Sequence, residues 1–320
     1  IEAARQGHEV VMVPASLLYF NFYQSTDTDN EPLAIGGYVP LENVYRYEPV
    51  PAVLTPEQRN YVVGVQANLW TEYIADFSLA QYMALPRMAA LSELQWCRPE
   101  RKDYENFLRR MVCLMDIYKE EGWNYARHVF DVTLRFRPDT ARGVLEVTTG
   151  TIDDAPVYYT LDGSEPTEAS LRSNGKVAID GPCVLRTVAI RPEGKSRVTT
   201  NEIHFSKSSM KPIRLLQALN ETYAYEGAAT LIDGLTGDGN YRTGRWVAVC
   251  GNDLEAVIDL KAETEIGKLT LRTNVVTGDW IFDAEKIEVA VSDDGKVFRE
   301  VVAEDCPLPS GHVSEIREHV

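Results

Sequence analysis

Tyr61-Val62-Val63-Gly64-Val65-Gln66-Ala67-Asn68-Leu69-Trp70-Thr71-Glu72 reads as one strand that runs out into a polar tip. Residues Tyr61 to Val65 are aromatic, β-branched and uncharged, the pattern of a strand covered on both faces. A tryptophan, a hydroxyl and a carboxylate then arrive at its C-terminal end. In parallel α/β sheets and barrels that end is where ligands bind. A flat indole beside an acceptor carboxylate suits a sugar: the ring stacks on apolar C–H faces, and the carboxylate accepts from hydroxyls. The plain alternative is a core tryptophan followed by a solvated glutamate.

The flanking sequence extends an α/β pattern. Ile1 to Gln6 predicts the end of a helix with Gly7 as its cap, and Glu9 to Pro14 a short apolar strand. Leu17 to Gln24 mixes aromatic and amide groups. It is either a second strand or hydrophobic loop, or a ligand-facing loop with Tyr19 and Asn21 on one side. Pro40 to Tyr45 predicts a short helix, and Pro49, Pro51 and Pro56 make the path to Tyr61 irregular. Ala80 to Leu85 and Arg87 to Trp96 are helical in composition and broken at Pro86. Asp103 to Glu121 predicts an amphipathic helix with Phe107, Met111, Leu114, Met115 and Tyr118 on one stripe and Gly122 ending it. Strand, loop, strand, helix fits the last two βα units of a (β/α)8 barrel, and two units cannot close a barrel of eight.

A chain of 320 residues, 44% hydrophobic and 25% charged, is globular and longer than one ordinary domain. Its formal charge of −16 argues against nucleic acid or an anionic membrane surface as partner. No apolar run approaches the roughly 20 residues of a membrane span. The five cysteines are scattered, with no C-x-x-C and no Cys/His cluster, so neither a disulfide framework nor a metal site is implied, and mostly buried free thiols are expected. No cofactor is implied. The opening Ile1-Glu2-Ala3-Ala4 reads as the tail of a helix, and the expectation is a fragment of a longer protein.

Three stretches carry a family resemblance. Gly64 to Glu72 resembles the eighth-strand motif of the family 20 glycoside hydrolases, the β-N-acetylhexosaminidases, and Tyr82 to Trp96 resembles the helix after it. Tyr19-Phe20-Asn21-Phe22-Tyr23-Gln24 is similar to the seventh-strand motif, usually Tyr-x-Asp. The resemblance covers residues 1–127. It implies substrate-assisted retaining hydrolysis of terminal N-acetylhexosamine from glycans, in which the substrate's own acetamido oxygen attacks the anomeric carbon. It further implies that Tyr19 hydrogen-bonds the acetamido group, Trp70 floors the sugar pocket and Glu72 accepts from the 4- or 6-hydroxyl. Asn21 departs from the usual aspartate and supplies no charge, so weaker sugar binding is expected. The family's Asp-Glu acid/base pair, in a His-x-Gly-Gly-Asp-Glu type motif, does not occur in this chain: Glu304-Asp305 is reversed and Asp253-Leu254-Glu255 interrupted. The fragment alone is therefore expected to be inactive. Export, to a secreted, periplasmic or cell-surface location, is implied by the family.

Past Arg127 the apolar period changes to two. Val129 to Phe136, Gly143 to Thr149, Pro156 to Leu161, Val184 to Arg191 and Val198 to Phe205 predict strands, with Pro192-Glu193-Gly194 as a turn. The expectation is an immunoglobulin- or fibronectin-like β-sandwich over 128–207. Tyr158 to Thr167 resembles the Tyr-Thr-x-Asp-Gly-Ser-x-Pro motif of the chitobiase C-terminal domain. Lys207 to Pro212 predicts a linker. Residues 212–320 look like a discoidin or coagulation-factor type C domain, a β jelly roll, truncated; Ile287 to Phe298, two strands about an Asp-Gly turn, carries this most. There, Asp233 and Asp238 are candidate calcium ligands against plain turns, and Trp246 and Trp280 candidates for stacking on a carbohydrate ligand against core packing. The rival to an enzyme is a non-catalytic carbohydrate-binding or scaffolding module; a third reading is an enzyme that lost activity through Asn21.

Overall fold

The computed structural model describes residues 1–192 and 194–320; Glu193 of the expected turn and the side chain of Asp29 lie outside the description. The chain divides into two compact units. The first comprises Ile1–Val132 together with Gly150–Pro156 and Ala189–Arg197. The second comprises Thr133–Thr149, Val157–Val188 and Val198–Val320.

The first unit runs α1 (Glu2–Arg5), β1 (Val10–Met12), α2 (Ala15–Leu18), α3 (Leu41–Arg46), α4 (Pro56–Arg59), β2 (Val62–Val65), α5 (Phe77–Ala84), α6 (Arg87–Trp96) and α7 (Tyr104–Glu120). β1 and β2 pair in parallel, Val11 opposite Gly64 and Met12 opposite Val65. They form a two-stranded sheet. The expectation of a strand covered on both faces is therefore corrected. Val65, opposite Met12, is buried, whereas Val11 and Val63 are about half exposed. Val63 and Val65 lie two apart, so alternation alone would put both on one face; the register slips between Val10 and Val11, and Val63 is the extra residue left between the pairs Val10–Val62 and Val11–Gly64. The helices follow their local signals. Thr55 caps α4 in a full capping box with Gln58, Asp76 caps α5 through the Leu79 amide, and Asp103 caps α7 through the Asn106 amide. Gly122, at φ +68°, supplies the left-handed residue after α7. Phe107, Met111, Met115 and Tyr118 form the buried stripe of α7 and join Leu18, Phe20, Val44, Tyr45, Val65 and Leu94 in one core. Here Leu17 to Gln24 is neither strand nor loop alone: Leu17 and Leu18 end α2, and Tyr19 and Tyr23 form isolated bridges on either side of a turn in which the Phe22 amide donates to the Tyr19 carbonyl.

In the second unit, β3 (Thr133–Asp139), β4 (Val144–Gly150) and β7 (Lys176–Ile179) form one sheet. β10 (Thr199–Ile203), β8 (Cys183–Arg191), β5 (Val157–Thr160) and β6 (Leu171–Arg172) form another in that order; the last residues of β8, from Ala189, and β9 (Gly194–Lys195), which pairs with them, count with the first unit. Leu145, Val147, Val177 and Ile179 of the first sheet share a core with Leu185 and Ile203 of the second, a β-sandwich arrangement. The strand expected from Val129 begins only at Thr133, because His128–Phe130 form a 3₁₀ turn. The expected linker is also corrected: Met210 is fully buried in this core and its amide donates to the Ile232 carbonyl. Beyond it β11 (Ile213–Leu215) pairs with β12 (Ala256–Ile258), β13 (Leu271–Val276) with β16 (Ser314–His319), and β14 (Lys286–Val291) with β15 (Arg299–Asp305), all antiparallel. These are three two-stranded sheets.

All five cysteines are free, but only Cys306 is buried; Cys113 and Cys250 are exposed, against the expectation of mostly buried thiols. Among the described residues no group of three or more His, Cys, Asp or Glu side chains is arranged to hold a metal. No described helix is long and apolar enough to cross a membrane.

Candidate functional site

The site forms where the two parallel strands end. Past Met12 the chain makes α2 and re-enters the sheet direction. Asn68 N–H donates to the Leu18 carbonyl at 2.9 Å, and Phe20 N–H to the Asn68 carbonyl at 2.7 Å. Tyr19 and Asn68 thus make an isolated parallel bridge beyond β1 and β2. The bridge brings together residues half a hundred positions apart. The Tyr19 and Trp70 rings lie 6.3 Å apart, centroid to centroid, at 58°, and Tyr19 and Phe22 5.7 Å apart. Both fall in the range of favourable aromatic pairs. Trp70 keeps half of its surface exposed, so it is not a core tryptophan in this chain. Glu72 follows on the exposed turn and has no hydrogen-bond or ion-pair partner among the described residues.

Asn21 is the contrasting member. It is 5% exposed, and its Oδ1 is buried with no hydrogen-bond partner among the described residues. A buried carbonyl oxygen without a donor costs about 1–3 kcal/mol. Such an atom is held in place by its surroundings.

Those surroundings centre on Arg87, the first residue of α6, which is fully buried. Its guanidinium donates to the carbonyls of Phe20, Phe22 and Val39 and, with Nε, to that of Met83. It also stacks over the Phe20 ring, 4.8 Å from the centroid. Burial pulls its pKa down to about 9, against the raising pull of Glu31 and Tyr82. Arg87 therefore grips the backbone on both sides of Asn21. Gln24 adds a second hold: it is buried, and its Nε2 donates to the Tyr82 carbonyl at 2.7 Å. Gln95 does the same for β2, donating to the Val65 carbonyl at 2.8 Å. Periodicity does not reveal these supports. The one sequence signal was a lone arginine in an otherwise apolar helix start, Leu85-Pro86-Arg87-Met88-Ala89-Ala90.

The structure brings Tyr19, Asn21 and Trp70 to one end of the sheet and leaves Glu72 on the adjoining turn. Trp280, a candidate for stacking on a ligand, is largely exposed and edge-on to Phe282, 6.3 Å away. Trp246 donates to the Asp238 carbonyl at 2.8 Å. Asp233, a candidate calcium ligand, is buried and accepts from the Leu235 amide.

Residues 1–99 match the model for the glycosyl hydrolase family 20 catalytic domain, and residues 140–201 the model for the chitobiase/beta-hexosaminidase C-terminal domain. All four site candidates lie in the first match. Among curated relatives, the chain is 38% identical over 180 residues to a beta-hexosaminidase of Porphyromonas gingivalis, covering 53% of this chain and 22% of that protein. It is 34% identical over 128 residues to a beta-N-acetylhexosaminidase of Cellulomonas fimi, covering 39% of this chain and 25% of that protein. The chain thus spans about a quarter or less of the length of these relatives. Among solved structures, the GH20 beta-N-acetylhexosaminidase from Streptomyces coelicolor A3(2) aligns at TM-score 0.36 and 30% identity, covering 39% of this chain and 25% of that one.

Proposed function

We propose that this chain is the C-terminal part of an exo-acting β-N-acetylhexosaminidase that releases terminal N-acetylhexosamine from glycans. Its organisation would be the last βα units of a (β/α)8 barrel (1–127), a chitobiase C-terminal-like sandwich (128–207) and a discoidin-like jelly roll (212–320). The observation that carries the reading is the Tyr19–Trp70 ring pair at the C-terminal ends of two parallel strands. The exposed Val11 and Val63 support it, since aliphatic side chains of barrel strands pack against those of further strands.

In this reading Trp70 stacks on the apolar face of the sugar and Tyr19 donates to the acetamido oxygen. That oxygen then attacks the anomeric carbon in substrate-assisted retention. Glu72, exposed and unpaired, accepts from a 4- or 6-hydroxyl. Asn21 offers a neutral contact where a carboxylate would bind more strongly. The Asp-Glu pair that protonates the leaving group and orients the acetamido group would come from outside this chain. Export to the cell surface, periplasm or medium belongs to the same proposal.

The test is turnover of a chromogenic N-acetylglucosaminide. The intact protein is expected to hydrolyse it, and Trp70→Ala to lower kcat/KM by about 100-fold or more, the scale of lost positioning. The isolated 320 residues are expected to release nothing. Turnover by the isolated chain, or full activity of Trp70→Ala, would sink the assignment. A non-catalytic carbohydrate-binding module is the alternative, and a silent intact protein that still binds N-acetylglucosamine would favour it.

A further inference from the structure

Arg197 lies within the stretch that matches the chitobiase C-terminal model, yet it counts with the first compact unit. Its guanidinium meets a cluster that neither the candidate site nor the sandwich explains. Nη1 donates to Glu31 Oε1 at 3.2 Å, across 166 positions in sequence. Nη2 donates to Ser25 Oγ at 3.2 Å, and Nε and Nη2 lie 2.8 and 2.7 Å from Asp131 Oδ2. Its backbone amide donates to Asp131 Oδ1 as well, and Asp27 is 3.9 Å away. The Glu31 side chain is 1% exposed. Both of its oxygens are used: Oε1 also meets His128 Nε2 at 2.8 Å, and Oε2 accepts from Tyr82 O–H at 3.0 Å.

The cluster closes back on the site. Tyr82, bound to Glu31 by its hydroxyl, accepts through its backbone carbonyl from Gln24, the last residue of the Tyr19-to-Gln24 segment. Ser25, the next residue, is bound by Arg197 directly. A buried carboxylate such as Glu31 is stable only while its oxygens are met by donors, so its partners are locked together.

We propose that Arg197 is a positioning residue that fixes the Tyr19–Ser25 segment from its downstream end, which, resting on the sugar-site reading, gives the chitobiase-like stretch a direct part in shaping that site. It acts through Ser25 and through the chain Glu31–Tyr82–Gln24, and touches no substrate itself. Arg87 grips the middle of the segment and Arg197 its end.

Hydrogen exchange of the chain, read by mass spectrometry, together with the side-chain amide resonance of Asn21, tests this without any sugar. Arg197→Gln is expected to speed exchange of the 19–25 amides about ten-fold or more, the factor a lost hydrogen bond to a charged group implies, and to shift the Asn21 resonance. Arg197→Lys should restore part of the protection. Arg46→Gln, which breaks an exposed pairing with Glu42 in the same unit, should leave the 19–25 amides unchanged. Acceleration confined to residues 26–31, or equal acceleration in Arg46→Gln, overturns the proposal. If Arg197→Gln unfolds the unit, seen as lost protection of α7, Ser25→Ala decides: faster exchange at 19–24 supports the clamp and unchanged exchange overturns it. The sugar reading fails separately, through full turnover by Trp70→Ala with the exchange result intact.

Discussion

Arg87→Met is the perturbation that most directly weighs what holds the site. The methionine keeps most of the aliphatic stem and removes the guanidinium. Carbonyl oxygens of Phe20, Val39 and Met83 lose their donor where water is excluded, and that of Phe22 where burial is partial. Each orphaned acceptor costs about 1–3 kcal/mol. Against this, the fully buried cation no longer has to be stripped of water, a gain of several kcal/mol. The backbone also relaxes toward solvent at Phe22. The balance is a net loss of about 3 kcal/mol, large for a single substitution. Because the chain has two compact units, a single global melt mixes them. Native-state hydrogen exchange of the α7 amides, which report the first unit, is the appropriate assay. A loss below about 1 kcal/mol would refute the reasoning: it would mean that the carbonyls find water or that the buried charge is a net burden. Arg87→Lys should recover little, since one ammonium cannot reach four carbonyls in a plane.

Three further expectations follow from the same kind of reading. Burial alone would lower the His128 imidazole, but the neighbouring Asp131 and Glu31 carboxylates, at 3.8 and 2.8 Å, outweigh it and leave the pKa above the ordinary value. The stability it contributes is therefore complete below about pH 6.5 and lost as pH rises through the raised folded value; protection factors of the α7 amides measured from pH 6 to 9 should show the first unit weakening, and His128→Gln should flatten that slope. Burial raises Asp233 to about 6, so this group's contribution is present at low pH and falls as pH climbs from about 4 through 6. Asp233→Asn keeps an acceptor for the Leu235 amide and should stabilise the second unit by about 2 kcal/mol at pH 7, read from native-state exchange of the β13 amides; no gain would mean that the nearby Arg245 already neutralises the charge. Asp103→Ala removes the acceptor for the Asn106 amide and should cost about 1 kcal/mol, read as faster exchange in the first turn of α7.

Local elements were written plainly in the residues. Asp103, the Phe107–Tyr118 stripe and Gly122 define α7 by capping, period and a left-handed stop, all of which act within a few residues. The Tyr19 and Trp70 candidates were legible because motif order survives in a linear text. What was not legible was coverage. Val63 reads like Val65, yet one is exposed and the other buried, since exposure depends on which strands lie alongside. Lys207 to Pro212 reads as a linker by composition, yet Met210 is packed in the sandwich core.

By itself, then, the amino-acid order determined where helices start and stop, which stretches alternate, and that an indole and a carboxylate stand at a strand's end, because each of these is set by neighbours along the backbone. Only the tertiary structure decided that Tyr19 meets Trp70, that Arg87 holds the carbonyls around Asn21, and that Arg197 reaches Glu31 across 166 positions. Such contacts are chosen by chain closure and by the need of buried charges for partners, and neither leaves a periodic trace in sequence.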